Sequence, residues 1–544
     1  MKPKPNLTAP TAALLLLNVL LLGSCDLFGM KQANSGVAAF AYTAASPLAL
    51  VDFSKAISGK LTLTVNGAAG KEIFLVKANP TDAEVVATGV GLAAPKVLTS
   101  APPRAPIPDL PRAQRFNEQG GAKWSAANRS RSVSRNASVS YAENATKTIG
   151  TDFKMFWVDK PDGTWEQKKA FLRAIGDHSY IWVAEDNYTG SSAAADETVS
   201  SQKAADLASK FEDVFTNVTN LYGYEFGGGP GGDGGMDGDQ HISILIYDID
   251  FDVASSRAGN GGTMGYFWAK DEFTQPQLGT TTPKTNQAEI FYLDAYFTES
   301  SFEQTISTLA HEYTHMILYN QKNIKNGQDA PAWYNEMCAM VAEDLVVANL
   351  GYDPVTVGAQ NRLPDFLSNY AVSGVTDWLD GDDVLRSYAS AFAFGAFLER
   401  SYGGAEFFHS MMGNSKVGQE AITEAMSAMG SPGGFKKAFE SYLSALVYTT
   451  PPVGSSVFTL NTDVTKTLAG TPYTAQKIDL WNLTQLDDAQ ALGPLMYGNT
   501  AANQKLLRPW GFTVHRLAAS ATNSQSFTLT APSTSSVEYW VMVK

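Results

Sequence analysis

Cysteine is nearly missing from this sequence. Cys25 and Cys338 are the two in 544 residues, so a disulfide-stapled scaffold is excluded. Charge is sparse as well, with Asp, Glu, Lys and Arg making up 17% of the chain, against about a quarter in an average domain. Basic residues are the scarcer sign, 40 against 54 acidic, for a net charge of −14. With no basic field to hold phosphates, a nucleic-acid partner is excluded. Long apolar runs are missing too. The run Leu14 to Leu22 is broken by Asn18 and falls well short of the roughly 20 residues that cross a bilayer. Histidine is rare, six in all, so two at a metal-binding interval carry weight.

What is present suffices to fold. Hydrophobic residues make up 44% and aromatics 11%, and the length calls for more than one domain. Lys2 and Lys4 precede the Leu14–Leu22 run and Leu22-Gly23-Ser24-Cys25 follows it, which is the grammar of an export signal over residues 1–24. The small residues before Cys25 resemble the bacterial lipobox, which implies cleavage before Cys25 and lipid on that residue. Membrane contact is then expected through the N-terminal lipid only, on an exported chain held at the cell surface or the periplasmic face. Residues 25–36 read as a tether.

Residues 37–98 read as a small β domain: Leu61 to Val65 alternates, Asn66-Gly67 signals a hairpin, and Ile73 to Val76 is a second strand. Prolines 102, 103, 106, 108 and 111, followed by Arg129, Arg131 and Arg135, mark residues 99–140 as a semi-extended linker. From 141 to 450 the pattern is mixed. Strands are expected near Phe153 to Val158, Tyr180 to Val183, Ile242 to Tyr247, Tyr266 to Trp268 and Ile290 to Leu293, and a helix over 198–222. Helices dominate from Ser301 to about Tyr448. Residues 455–544 turn β-like again and read as a C-terminal sandwich-like module.

The chemistry centres on His311-Glu312-Tyr313-Thr314-His315. Four residues is just over one helical turn, so the two imidazoles stack on one face and project toward one point. Phe302, Ile306, Leu309, Tyr313 and Met316 supply an apolar stripe, and the Ser301/Gln304 and Ser300/Glu303 pairs have capping-box spacing. Glu312 falls beside the imidazole pair, where it can take a proton from a metal-activated water. A third ligand is needed, and Glu336 is the best candidate. Asn326-Gly327 gives a turn and Pro331 suits the start of a second helix that can carry Glu336 opposite the histidines.

His311-Glu312-Tyr313-Thr314-His315, followed by Trp333-Tyr334-Asn335-Glu336 and then Ala342-Glu343-Asp344, resembles the glutamate-ligand zincins, and within them looks closest to the hyicolysin family of bacterial extracellular metallopeptidases. The resemblance covers about 145–450. It implies an α+β, zincin-type catalytic domain with a mixed-sheet part and a helical part, one zinc ion, and hydrolysis of protein or peptide substrates. The chain is expected to act as a monomer. By motif match His311, His315 and Glu336 become the zinc ligands and Glu312 the catalytic glutamate. Thermolysin-like relatives carry a supporting acid one turn after the third ligand. Here that position is Met340, and Glu343, nearly two turns on, is the alternative. An oxyanion donor is also required. Tyr388 is the candidate and His409 its rival. Substrate is expected as an added strand along either Tyr266–Trp268 or Ile290–Leu293.

Two further readings stay open. Asp233, Asp237 and Asp239 in the Gly-rich loop 226–239 suit a Ca2+ ion or a plain surface loop. A surface binding protein or adhesin on a decayed peptidase scaffold is the rival function.

Overall fold

In this computed structural model the described residues are 38–44, 47–89, 91–92, 111–118, 147–190, 197–251, 262–279, 283–452, 455–483, 493–498, 504–532 and 534–544. The segment expected to be an export signal, Cys25 and most of the Pro/Arg stretch lie outside them.

A six-stranded sheet organises the first half of the 141–450 region. Its strands are β1 (Phe153–Asp159), β2 (Trp165–Ile175), β3 (Ser179–Ala184), β4 (Ile242–Tyr247), β5 (Gly265–Phe267) and β6 (Ile290–Asp294). Their spatial order is β5-β6-β4-β3-β2-β1. The apolar strands β3, β4 and β6 are buried along their whole length and pair in parallel, β3 with β4 and β4 with β6, as strands covered on both faces do. The outer pairings are antiparallel. Strand β6 is therefore interior, and β5 is the edge beside it. This places Tyr266–Trp268, not Ile290–Leu293, where a further strand can be added.

Helices carry the second half. A short helix α1 (Pro111–Asn117) precedes the sheet. The long helix α2 (Ser201–Tyr222) starts at Ser200, whose hydroxyl accepts from the Lys203 amide, and stops at Gly223 with φ +91°. Helices α3 (Phe302–Leu318), α4 (Ala332–Asn349) and α5 (Val384–Tyr402) follow. The capping boxes expected before α3 do not form. Ser301 is the N-cap but its side chain makes no cap bond, and Ser300 belongs to a preceding turn, where its hydroxyl bonds the Tyr296 carbonyl. Between α3 and α4 the chain widens into a π-helical turn, Tyr319–Ile324, and Gly327 at φ +65° completes the reversal. Pro331 caps α4 from outside.

The two terminal β segments are not separate modules. Ala38–Thr43, Lys60–Asn66 and Ser524–Thr530 share one sheet, and Phe512–Ala519, Glu72–Ala78, Glu538–Val543 and Leu48–Leu50 share another. Local alternation shows each strand but not its partner, and the partners here lie more than 400 residues apart. The apolar core runs continuously from these sheets into the helices. Tyr370 joins them, stacked 5.0 Å from Phe512 and accepting from the Val514 amide at 2.9 Å. The linker expectation for 99–140 also fails at α1, where Pro111 starts a helix that buries Ala113. Among the described residues no helix is long and apolar enough to cross a membrane.

Candidate metal centre

Helix α3 presents His311 and His315 one turn apart, with ring centroids 4.7 Å from each other. Its opposite stripe is fixed by Ile306, Leu309 and Tyr313, all fully buried, and Tyr313 stacks 5.6 Å from Phe215 of α2. Helix α4 crosses α3 and brings in Glu336. Its carboxylate lies 3.1 Å from His311 Nε2 and 3.6 Å from His315 Nε2, and one donor atom from each of the three residues falls within 4.8 Å of the others. Two imidazoles and one carboxylate, converging from two helices, form a zinc-type donor set with one position left for water.

The surroundings agree with that chemistry. Glu343, also on α4, accepts from His311 Nδ1 at 2.6 Å, and its other oxygen accepts from the Ser307 hydroxyl at 3.0 Å. The one-turn position, Met340, is buried among apolar groups. A carboxylate seven residues beyond Glu336, two helical turns, shares its face and so reaches the same histidine. Burial opposes a charge on His311, yet the hydrogen bonds it donates to Glu336 and Glu343 raise its pKa well above the ordinary value. Burial alone would raise Glu336, but the charge and hydrogen bonds of the histidines hold it well below the usual carboxylate range. Burial holds the His315 pKa below its ordinary value, against the pull of Glu336.

Glu312 is fully buried, and neither carboxylate oxygen has a well-formed hydrogen bond. Burial pushes its pKa up to about 8, partly offset by His311, while the Phe267 backbone acts on it only weakly. A buried carboxylate with so little hydrogen bonding is costly, and Glu312 lies directly beside the His311/His315 pair on the same helix. These residues fit a zinc ion and a water.

Tyr388 sits in the second turn of α5, fully buried, with Trp378 edge-on at 4.9 Å. A single nitrogen, Gln114 Nε2 of α1, donates to both Glu336 Oε1, at 2.6 Å, and the Tyr388 hydroxyl. The hydroxyl is therefore beside the candidate ligand. His409 is committed elsewhere, its Nδ1 bonding the Leu221 carbonyl at 2.8 Å.

The calcium expectation finds no support. Asp233 accepts from the Gly235 amide and Asp237 from the Asp239 amide, while Asp239 holds His241 and Lys147. They act as loop and ion-pair groups, and they do not form one of the converging ligand clusters found among the described residues.

Two features escaped the sequence reading. One is a buried charge cluster: Arg400 of α5 pairs with Asp344 of α4 at 2.7 Å and with Glu399 at 2.8 Å, and Gln360 donates to Asp344 at 2.7 Å. It fixes α5 against the helix that carries Glu336. The other is α1, signalled only by Pro111 at a helix start and by Ala113 and Phe116 three residues apart.

Comparison with known proteins agrees with these observations. A family profile described as Peptidase M30 matches residues 171–539. A neutral metalloprotease, ShpI, of Staphylococcus hyicus is 26% identical over 275 residues, 48% of this chain and 54% of the relative. The chain thus spans about half the length of that relative.

Proposed function

Since the chain belongs to the peptidase M30 family, we propose that it is a zinc-dependent endopeptidase in which His311, His315 and Glu336 hold the metal. The observation that carries this reading is the convergence of those three side chains within 4.8 Å, the two histidines on the helix that also carries the buried carboxylate of Glu312. When bound, a zinc ion supplies Lewis-acid polarisation of the scissile carbonyl and acidifies the attacking water. Glu312 takes the proton from that water and passes it to the leaving amine. A cation held by His311, His315 and Glu336 would favour the ionised, basic form of Glu312. The Tyr388 hydroxyl donates to the developing oxyanion. Glu343 fixes the tautomer of His311 so that Nε2 faces the metal. Substrate lies extended along the β5 edge, where main-chain pairing places the scissile bond beside α3.

Export and attachment through lipid on Cys25 belong to the same proposal and rest on the sequence of residues 1–25 alone.

The test is zinc content measured together with casein cleavage. About one zinc per chain with chelator-sensitive cleavage, lost in Glu312→Gln with zinc retained, is the expected result. A folded chain that, given excess zinc, binds no metal and cleaves nothing overturns it.

A further inference from the structure

The candidate active site is closed. His311, Glu312 and Tyr388 have no exposure, and Glu336 and His315 have 1% and 5%. An endopeptidase needs an open cleft for a polypeptide, so whatever closes this one matters. Helix α1 is in that place, and Gln114, Asn117 and the adjoining Glu118 are spent on the parts of the site that substrate would use.

Gln114 donates to Glu336 and to the Tyr388 hydroxyl. Asn117 donates from Nδ2 to the Phe267 carbonyl at 2.9 Å, and its Oδ1 accepts from the Ala269 amide at 2.8 Å. Those are the outward-facing main-chain groups at the end of edge strand β5, so the Asn117 carboxamide makes the two hydrogen bonds an added substrate strand would make. Glu118 accepts from the Ala332 amide, at the start of α4, at 2.6 Å. Phe116 packs edge-on to Phe273 and Trp268 at 6.1 and 6.4 Å. Gln114 and Asn117 are 8% and 6% exposed. Polar side chains this buried on a seven-residue helix, with each carboxamide bonded at the candidate ligand or the substrate edge, are poorly explained as general packing.

We propose that α1 is an autoinhibitory plug that occupies the substrate cleft and keeps the chain latent until it is withdrawn. This rests on the peptidase reading above for what is being inhibited. The geometry of the block does not depend on it. Withdrawal opens the β5 edge, frees Tyr388 and uncovers Glu336 in one step, because the same short helix holds all three.

The test uses the full chain and the variant Asn117→Ala/Glu118→Ala, which changes no residue assigned to catalysis. Two quantities are read: hydrogen exchange at the Ala269 and Ala332 amides, and the initial rate on a quenched fluorescent peptide with zinc present. The variant should lose amide protection and gain about tenfold in rate, as loss of two or three buried hydrogen bonds shifts a closed–open equilibrium. A synthetic peptide of residues 109–120 should bind the variant and restore latency, and a scrambled peptide should not. Equal rates and equal protection in both proteins, with no peptide binding, overturn the plug. If neither protein cleaves anything yet the peptide binds the variant and restores protection, the plug stands and the peptidase reading falls. Should the double variant fail to fold, Asn117→Ser alone is read the same way, with loss of Ala269 protection as the deciding outcome.

Discussion

Glu343→Gln isolates the contribution of an acid that the usual one-turn spacing would have overlooked. In the native chain Glu343 accepts from His311 Nδ1 at 2.6 Å and from Ser307 at 3.0 Å. The substitution keeps the volume and one acceptor but removes the negative charge that makes His311 a stronger donor to a cation. Changes to such supporting groups cost about 10- to 100-fold in metal affinity, or about 1.4–2.7 kcal/mol. Because Gln still orients the ring, the lower end, about tenfold, is expected. The assay is competition for zinc against a chromogenic chelator, run on the native chain, Glu343→Gln and Glu303→Gln. Glu303 is exposed in the first turn of α3, so its variant controls for a change in net charge on the same helix. Glu303→Gln should bind zinc like the native chain. An unchanged affinity in Glu343→Gln, or an equal loss in both variants, would refute the claim that the Glu343 contact tunes the centre.

Other outcomes follow from the same geometry. His315→Ala should lose stoichiometric zinc and all cleavage, whereas Glu312→Gln should keep the zinc and lose about 10²- to 10⁴-fold in turnover; metal analysis beside kinetics separates them. Arg400→Met should destabilise the fold by about 3 kcal/mol in denaturant titration, because Asp344 and Glu399 are left buried without their cation, and a loss under 1 kcal/mol would count against that cluster as a brace. Burial and the nearby Lys77 push the His515 pKa down to about 3, against about 6.5 in an unfolded chain. The unfolded state takes up the proton first, so stability should fall as pH drops from about 6.5 toward 3, by up to ~1.4 kcal/mol per pH unit. Glu and Asp titrations contribute equally in His515→Gln, so the difference between the two profiles measures His515; identical profiles would refute the assignment. Cys25→Ala should abolish incorporation of radiolabelled palmitate in a bacterial host, and retained label would rule out lipid at that residue.

How much of this was legible in the sequence depended on whether the information was local. The α3 motif is a one-turn relation, so His311 and His315 were readable from their spacing. Glu336 needed a turn and a helix start, both signalled by Asn326-Gly327 and Pro331. The interior strands were readable because β3, β4 and β6 are apolar on both faces. The choice between the two candidate substrate edges was not readable, because it is set by strand order: β6 takes an interior place and β5 the edge. The same reason hides the union of the terminal segments. Val65 and Gln525 are register partners, and nothing in either strand's alternation names the other.

Helix α1 was hidden for a different reason. A crowd of prolines reads as extended chain, and for most of residues 99–140 no local pattern speaks against that. The seven residues from Pro111 to Asn117 carry too weak a periodicity to register as an amphipathic helix, which needs two or three turns to show a face. Their importance lies in side chains that imitate other things: a carboxamide on the Glu336 carboxylate, and a carboxamide on a strand edge. Imitation of that kind has no periodicity at all. Gln114 is informative only once Glu336 and Tyr388 are known to be neighbours, and that depends on α4 and α5 being held together by Asp344 and Arg400. The motif on α3 is set within one turn, the α4–α5 pairing by contacts between distant segments, and the covering α1 by contacts that exist only once both are in place.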